Sequence, residues 1–257
     1  MKKISLLIAL PLLLGGLLNG QVLADSQASL QFSAEISQKG QRGEVSSGRI
    51  FVGTDHMRTE MQQAGQQVIQ IINNKTNTSW ILYPSQHSYM EMQGRGTPQA
   101  QAKQGDVNPC QGLREAKCKN LGQESVNGRE ATKWEIQLSQ QGKSYQSVQW
   151  LDKERGILLR QESSNGQRSE LKMLGLEKLG NRTVEKWEMT VANGNQPAQR
   201  TYRWFDPELN LAVREEFPGG FVREMKNINV APQDPGLFTL PAGYKKITPQ
   251  QGRPAQR

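Results

Sequence analysis

A mainly β chain folded as one large, curved antiparallel sheet is predicted by three features of the sequence. Short segments alternate apolar and polar residues with the two-residue period of a half-buried strand. Turn-forming Gly, Asn and Pro punctuate them. A block of about fifty residues then recurs, as repeat architectures require when one unit cannot bury its apolar face alone. The 257 residues are 35% hydrophobic with a mean hydropathy of -0.69, a lean composition that excludes a multi-span membrane protein, collagen and coiled coil.

Taken in order, the first strand sets Phe32, Ala34 and Ile36 on one face and the next sets Ile50 and Val52 there. Residues 68–72, 80–83 and 88–92 follow as strands, the middle one carrying Trp80 and Leu82. Gly40, Ser46-Ser47-Gly48, Gly65, Asn73-Asn74 and Pro84 separate them. From Gln93 to Asp106 the chain is polar and aperiodic and reads as a loop. A short helix is expected over Asn108 to Lys119, with Asn108 as N-cap and Pro109 as the first helical residue.

After Leu121 the chain repeats. Asn127-Gly128-Arg129, Lys133-Trp134-Glu135-Ile136 and Trp150-Leu151-Asp152 return as Asn181-Arg182, Lys186-Trp187-Glu188-Met189 and Trp204-Phe205-Asp206. Arg160/Glu162 returns as Arg214/Glu216, and a fainter copy near 30–74 carries Arg58/Glu60. The copies near 121–174 and 179–230 each read as a meander of about four strands. Trp134, Ile136 and Leu138 share one strand face, as do Trp187, Met189 and Val191, with Lys133, Glu135, Lys186 and Glu188 opposite. A sheet of this size must twist and curl. Either it closes and fills with side chains, or it leaves an apolar cleft for a ligand. The five Trp residues fit both outcomes, as repeat-encoded core or as the walls of a slot.

Lys2-Lys3, an apolar run from Ile4 to Leu18 and Val22-Leu23-Ala24 read as a cleaved export signal, residues 1–24. Fifteen helical residues span only about 22 Å, short of a hydrocarbon core of roughly 30 Å. No Cys stands near the cleavage point for lipid attachment, so a soluble periplasmic protein is expected. In that oxidising compartment Cys110 and Cys118, the only cysteines, are expected to form a disulfide. Losing Lys2 and Lys3 lowers the formal charge from +8 to +6. The remaining charges are interspersed except in the tail, 248–257 with Lys245 and Lys246 before it, which allows weak attraction to an anionic membrane surface. No basic patch with interleaved aromatics suggests nucleic acid. No Gly-x-Ser-x-Gly elbow occurs, and His56 and His87 have neither a triad context nor a spaced metal partner, so no enzyme, metal or cofactor is expected.

Gly48-Arg49-Ile50-Phe51-Val52, Arg58-Thr59-Glu60, Val68-Ile69-Gln70-Ile71, Thr78-Ser79-Trp80-Ile81-Leu82-Tyr83-Pro84 and the closing Leu237-Phe238-Thr239-Leu240-Pro241-Ala242-Gly243-Tyr244 together resemble the LolA/LolB superfamily of periplasmic lipoprotein carriers. The resemblance covers most of residues 25–247. It implies an unclosed, half-pipe β-barrel whose concave face takes a lipid or a lipoprotein acyl chain, for carriage or for sensing. On that reading Phe32, Ala34, Ile36, Ile50, Val52, Trp80, Leu82, Trp134, Ile136, Trp150, Trp187, Met189 and Trp204 would line the concavity. Carriers of this type place Arg-Pro in the turn after the second strand; here that turn is Gly53-Thr54-Asp55. The alternative is a non-enzymatic interaction module with a filled sheet, presenting an edge or its tail to an envelope protein.

Overall fold

Strands form where the period-two alternation is found. The computed structural model describes residues 30–63, 65–94, 108–111, 115–140, 143–194 and 196–248. The expected export signal, most of the polar loop and most of the basic tail lie outside these residues. The strands are β1 (Phe32–Lys39), β2 (Val45–Val52), β3 (His56–Gln63), β4 (Gln66–Asn73), β5 (Thr78–Tyr83), β6 (Ser88–Gln93), β7 (Ala116–Val126) and β8 (Arg129–Gln140). They continue as β9 (Lys143–Asp152), β10 (Leu158–Ser163), β11 (Gln167–Leu179), β12 (Arg182–Asn193), β13 (Gln199–Asp206), β14 (Leu211–Glu216), β15 (Val222–Val230) and β16 (Lys245–Lys246). Among the described residues there is no α-helix, only three short 3-10 turns at Pro84–Gln86, Pro218–Gly220 and Pro235–Phe238. No helix there is long and apolar enough to cross a membrane.

All sixteen strands belong to one unclosed sheet, in the order β16-β6-β5-β4-β3-β2-β1-β15-β14-β13-β12-β11-β10-β9-β8-β7. Every pairing is antiparallel except β16 on β6. The predicted large antiparallel sheet is therefore present. Its repeat appears as meander I (β7 to β10) and meander II (β11 to β14). Meander III draws on both ends of the chain, because β15 pairs with β1 and the sheet continues through β2 and β3.

The helix expected over Asn108 to Lys119 does not form. Asn108 Oδ1 accepts the Cys110 N–H at 2.9 Å and its carbonyl accepts the Gln111 N–H at 3.0 Å, which makes a turn. From Ala116 onward the chain is extended, and Cys118 sits opposite Ile136. The Cys110–Cys118 disulfide, with Cα atoms 5.8 Å apart, packs on Trp134 and Ile136. Strand pairing and this apolar contact outweigh the local signal of a cap followed by Pro.

Each meander has two sides, and both are needed for burial. The front carries Trp134 in I, Trp187 in II and Ala34 in III; the back carries Trp150, Trp204 and Phe51. Val126, Ala131, Trp150 and Leu159 from the back of I form one cluster with Trp187 from the front of II. Val184 and Trp204 from the back of II, with Leu209 and Val213, form another with Phe32, Ala34, Ile36, Ile50 and Met61 of III. The back of one meander thus packs on the front of the next.

The long strands make this geometry. β10 pairs only with Arg168 to Glu170 of β11, whereas β12 follows β11 along its whole length. Similarly, β14 pairs only with Val222 to Glu224 of β15. Beyond these short joints a bulge bends the strand, between Met173 and Gly175 in β11 and between Asn120 and Gly122 in β7. Gly175 (φ 146°) and Gly122 (φ 102°) hold backbone conformations that side-chain-bearing residues rarely adopt.

The two ends of the stack are finished differently. At the back of III, Phe238 joins Phe51, Ile69, Ile71 and Leu82, and the Arg58 guanidinium donates to the Leu237 carbonyl at 3.0 Å. At the front of I, Trp134, Ile136 and Leu151 are covered in part by the disulfide and Leu158. Because Trp187 fills the joint between I and II, Trp187→Ala is expected to cost about 3 to 5 kcal/mol of stability. Urea denaturation measures it, and a loss below about 1 kcal/mol, the scale of a surface substitution, contradicts the packed joint.

Candidate functional site

The polar side chains that recur with the repeat are built into the joints. In meander I the Arg129 guanidinium donates to Asp152 through Nε (2.5 Å) and Nη2 (3.1 Å), and to Glu154 at 2.8 Å. Asp152 Oδ1 also accepts the N–H groups of Glu154 and Arg155. Meander II repeats this with Arg182 on Asp206 and Glu208, and with the N–H groups of Glu208 and Leu209 on Asp206 Oδ1. Asp206 is fully buried, and such a carboxylate needs this full set of partners.

Next to each clamp a Trp lies between two cations. Lys133 Nζ and the Arg160 guanidinium stand 4.8 and 4.9 Å from the Trp150 ring. Lys186 and Arg214 stand 4.8 and 5.2 Å from Trp204. The Arg therefore roofs an indole, a cation–π contact, while it pairs with its own strand's Glu162 or Glu216. These Arg/Glu pairs are half-buried parts of the stack as well as surface ion pairs. The Trp204 indole donates to Glu177 at 2.6 Å. That bond, followed by the bond from Lys186, lowers the Glu177 pKa. The Trp150 indole falls short of hydrogen-bonding geometry, although its proximity helps Lys133 lower the Glu124 pKa.

The two joints differ at one position. Arg155 of meander I makes a two-pronged bond to Glu185 of II, 2.7 Å on each arm, and the Trp187 indole donates to the same carboxylate at 3.0 Å. In the next joint Leu209 and Phe32 stand at the corresponding positions and enter the apolar cluster instead. One joint is locked by charge and the other by grease, so the meanders are not interchangeable. The Arg203 guanidinium, beside Glu215, has its pKa lowered by burial.

The residues expected to line a lipid concavity are distributed over this stack. Phe32, Ala34, Ile36, Ile50 and Trp204 lie in the joint between II and III, with Val52 half-buried against them. Trp150 and Trp187 lie in the joint between I and II. Trp134 and Ile136 are at the front of I. Leu82 and Trp80 are at the back of III, on the opposite side of the sheet from Phe32 and Ile50. Met189 is half-buried on the front of II, opposite Leu171. A surface hollow of about 570 Å³ is lined by Gln196, Pro197, Ala198, Gln199, Arg200 and Pro218, turn and strand-end residues outside that set.

Another apolar surface was not singled out by sequence reasoning. On β4, β5 and β6 the registers place Val68, Ile72, Ile81, Tyr83, Met90 and Met92 on one side, all half-buried. Burial raises the Tyr83 pKa. Ser88, opposite Tyr83, buries its hydroxyl without a partner. The alternation in these strands is visible in sequence, but which side stays open depends on where the C-terminal segment packs. Among the described residues no group of three or more His, Cys, Asp or Glu is placed to hold a metal ion.

Arg155, followed by the Trp187 indole, holds the Glu185 carboxyl below its ordinary range against a desolvation penalty that acts the other way. A depressed carboxylate stabilises the fold above its unfolded pKa of about 4.3, and this contribution is lost as pH falls through the lower folded value. Stability measured from about pH 6 downward should therefore fall less steeply in Glu185→Gln than in the parent. Identical acid limbs would contradict the role given to the Arg155–Glu185 lock.

Comparison with known proteins gives a family. No curated protein matches the sequence. Among solved structures, the LolA superfamily protein NE2245 from Nitrosomonas europaea is 9% identical, with 83% of this chain and 91% of that chain covered and a TM-score of 0.37. A putative outer membrane lipoprotein-sorting protein domain from Vibrio parahaemolyticus is 12% identical, covering 81% and 88%, with a TM-score of 0.31. The MucA/MucB complex of Pseudomonas aeruginosa offers a chain 11% identical, covering 80% and 95%, with a TM-score of 0.18. Residues 34–190, more than half of the sequence, match the domain of unknown function DUF4412, and the chain belongs to that family.

Proposed function

We propose that this chain is a non-enzymatic binding module of the cell envelope, exported and oxidised, which engages a protein partner through its exterior. One observation carries the reading: the indoles that could have walled a lipid slot are already covered by protein. Trp134, Trp150, Trp187 and Trp204 are 8%, 3%, 5% and 5% exposed, each packed against other side chains of the chain. The wall of an empty slot exposes its apolar surface. The Cys110–Cys118 disulfide supports a periplasmic location, since such bonds persist where thiols are oxidised. No buried nucleophile with a base, and no carboxylate pair set apart from the ion-pair network, favours catalysis among the described residues.

A second reading is favoured by a different observation. The open side of β4 to β6, with Val68, Ile81 and Met90 half-exposed between the polar Gln70, Ser79 and Ser88, has the mixed character that suits an acyl chain lying on a sheet. Carriage or sensing of a lipid would then use this surface and not the Trp residues.

A fluorescent fatty acid separates the two. The interaction reading predicts no saturable binding to the periplasmic protein and no amphiphile in native mass spectra, together with a discrete partner after cross-linking in intact cells. Saturable probe binding that is abolished in Ile81→Asp, without loss of fold, would overturn it in favour of the second reading.

A further inference from the structure

The two edges of the sheet are unequal. At one, β16 pairs with β6 and the chain continues its bonding to Tyr89 through Ile247. At the other, β7 bonds only to β8 among the described residues, and Lys119 to Ser125 are exposed. Such an edge presents a row of unpaired N–H and C=O groups ready to accept another strand.

The repeat itself indicates how this edge is read. β7, β11 and β15 are equivalent strands, and the latter two receive a neighbour at their first residues. There Arg160 stands opposite Glu170, and Arg214 opposite Glu224, the second pair 3.1 Å apart. Glu170 is opposite Thr190 of β12, Glu224 is opposite Ser37 of β1, and the residue at the same register on β7, opposite Gln137 of β8, is Lys117. The joint position has reversed its charge. Lys119, two residues further on the same side, is also exposed.

Building on the interaction reading, we propose that the free edge of β7 receives an extended segment of a partner protein that sets an acidic side chain against Lys117. Directly opposed unlike charges stabilise an antiparallel pair and like charges destabilise it. This chain's own joining strands carry Arg at the matching place, in Arg58-x-Glu60, Arg160-x-Glu162 and Arg214-x-Glu216, and would set Arg against Lys. A second copy pairing its β7 about Cys118 would set Lys117 against Lys119. The edge is therefore tuned against its own kind and toward an acidic strand. The neighbouring disulfide, through Cys118, anchors β7 to Trp134 and keeps this edge formed.

The test uses the full exported protein and two fluorescent ten-residue peptides of alternating Thr and Val, one with a central Glu and its twin with Arg. Anisotropy should show the Glu peptide binding about two- to fivefold more tightly than its twin, the range of one opposed charge pair. In Lys117→Glu, at an exposed position whose urea midpoint should not move, the preference should invert. Hydrogen exchange should place the new protection on residues 116–120. Equal binding of both peptides, no binding of either, an unchanged order in Lys117→Glu, or protection at β6 would each overturn the proposal. A cross-linked partner that persists in Lys117→Glu would also overturn it while leaving the interaction reading intact, whereas loss of every partner from the parent protein would overturn that reading itself.

Discussion

The constraint that organises this molecule is that each meander has two apolar sides and, among the described residues, no α-helix to cover either. A four-stranded meander that exposed Trp187 on its front or Trp204 on its back would forgo much of the burial that stabilises it. Stacking solves this by using the back of one unit as the cover for the front of the next. Continuity of the sheet is kept because β11 and β15 belong to two units at once, pairing briefly with one and fully with the other.

The polar network follows from that arrangement. Stacked backs bring Asp152 and Asp206 out of water, and each then requires its Arg and its two turn N–H groups. Cations that would otherwise be solvated lie over Trp150 and Trp204, where the ring faces attract them. The Arg155–Glu185 lock sits beside Trp187 at a site where the next joint is apolar. Charge at one joint and apolar packing at the other distinguish the two joints between otherwise similar units.

Much of this was legible before any coordinates. Alternation in Phe32-x-Ala34-x-Ile36 and the fifty-residue echo of Lys-Trp-Glu reported strands, faces and repetition directly. Arg129 and Asp152 were visible as repeated residues, but their pairing was not, since it depends on the turn after β9 folding back on Asp152. The side opposite Trp134, marked in sequence by Lys133 and Glu135, also holds Ala131 and Trp150, which the next meander buries. Asn108-Pro109 imitates a helix start because a cap and a turn use the same side-chain acceptor. Trp80 and Leu82 could not be assigned a side from sequence, because period two gives two sides and only the register across β2 to β5 tells them apart.

Protein packing and not a ligand buries the indoles of the repeat, Trp150, Trp187 and Trp204 in the joints between meanders and Trp134 beside the disulfide. Acrylamide quenching of tryptophan fluorescence in a Trp80→Phe variant measures this most directly, since the four remaining indoles are those of the stack. Quenching is expected to be weak and not to change when oleate is added. Strong quenching in the empty protein, relieved by oleate, would contradict it and return these residues to the wall of a lipid slot.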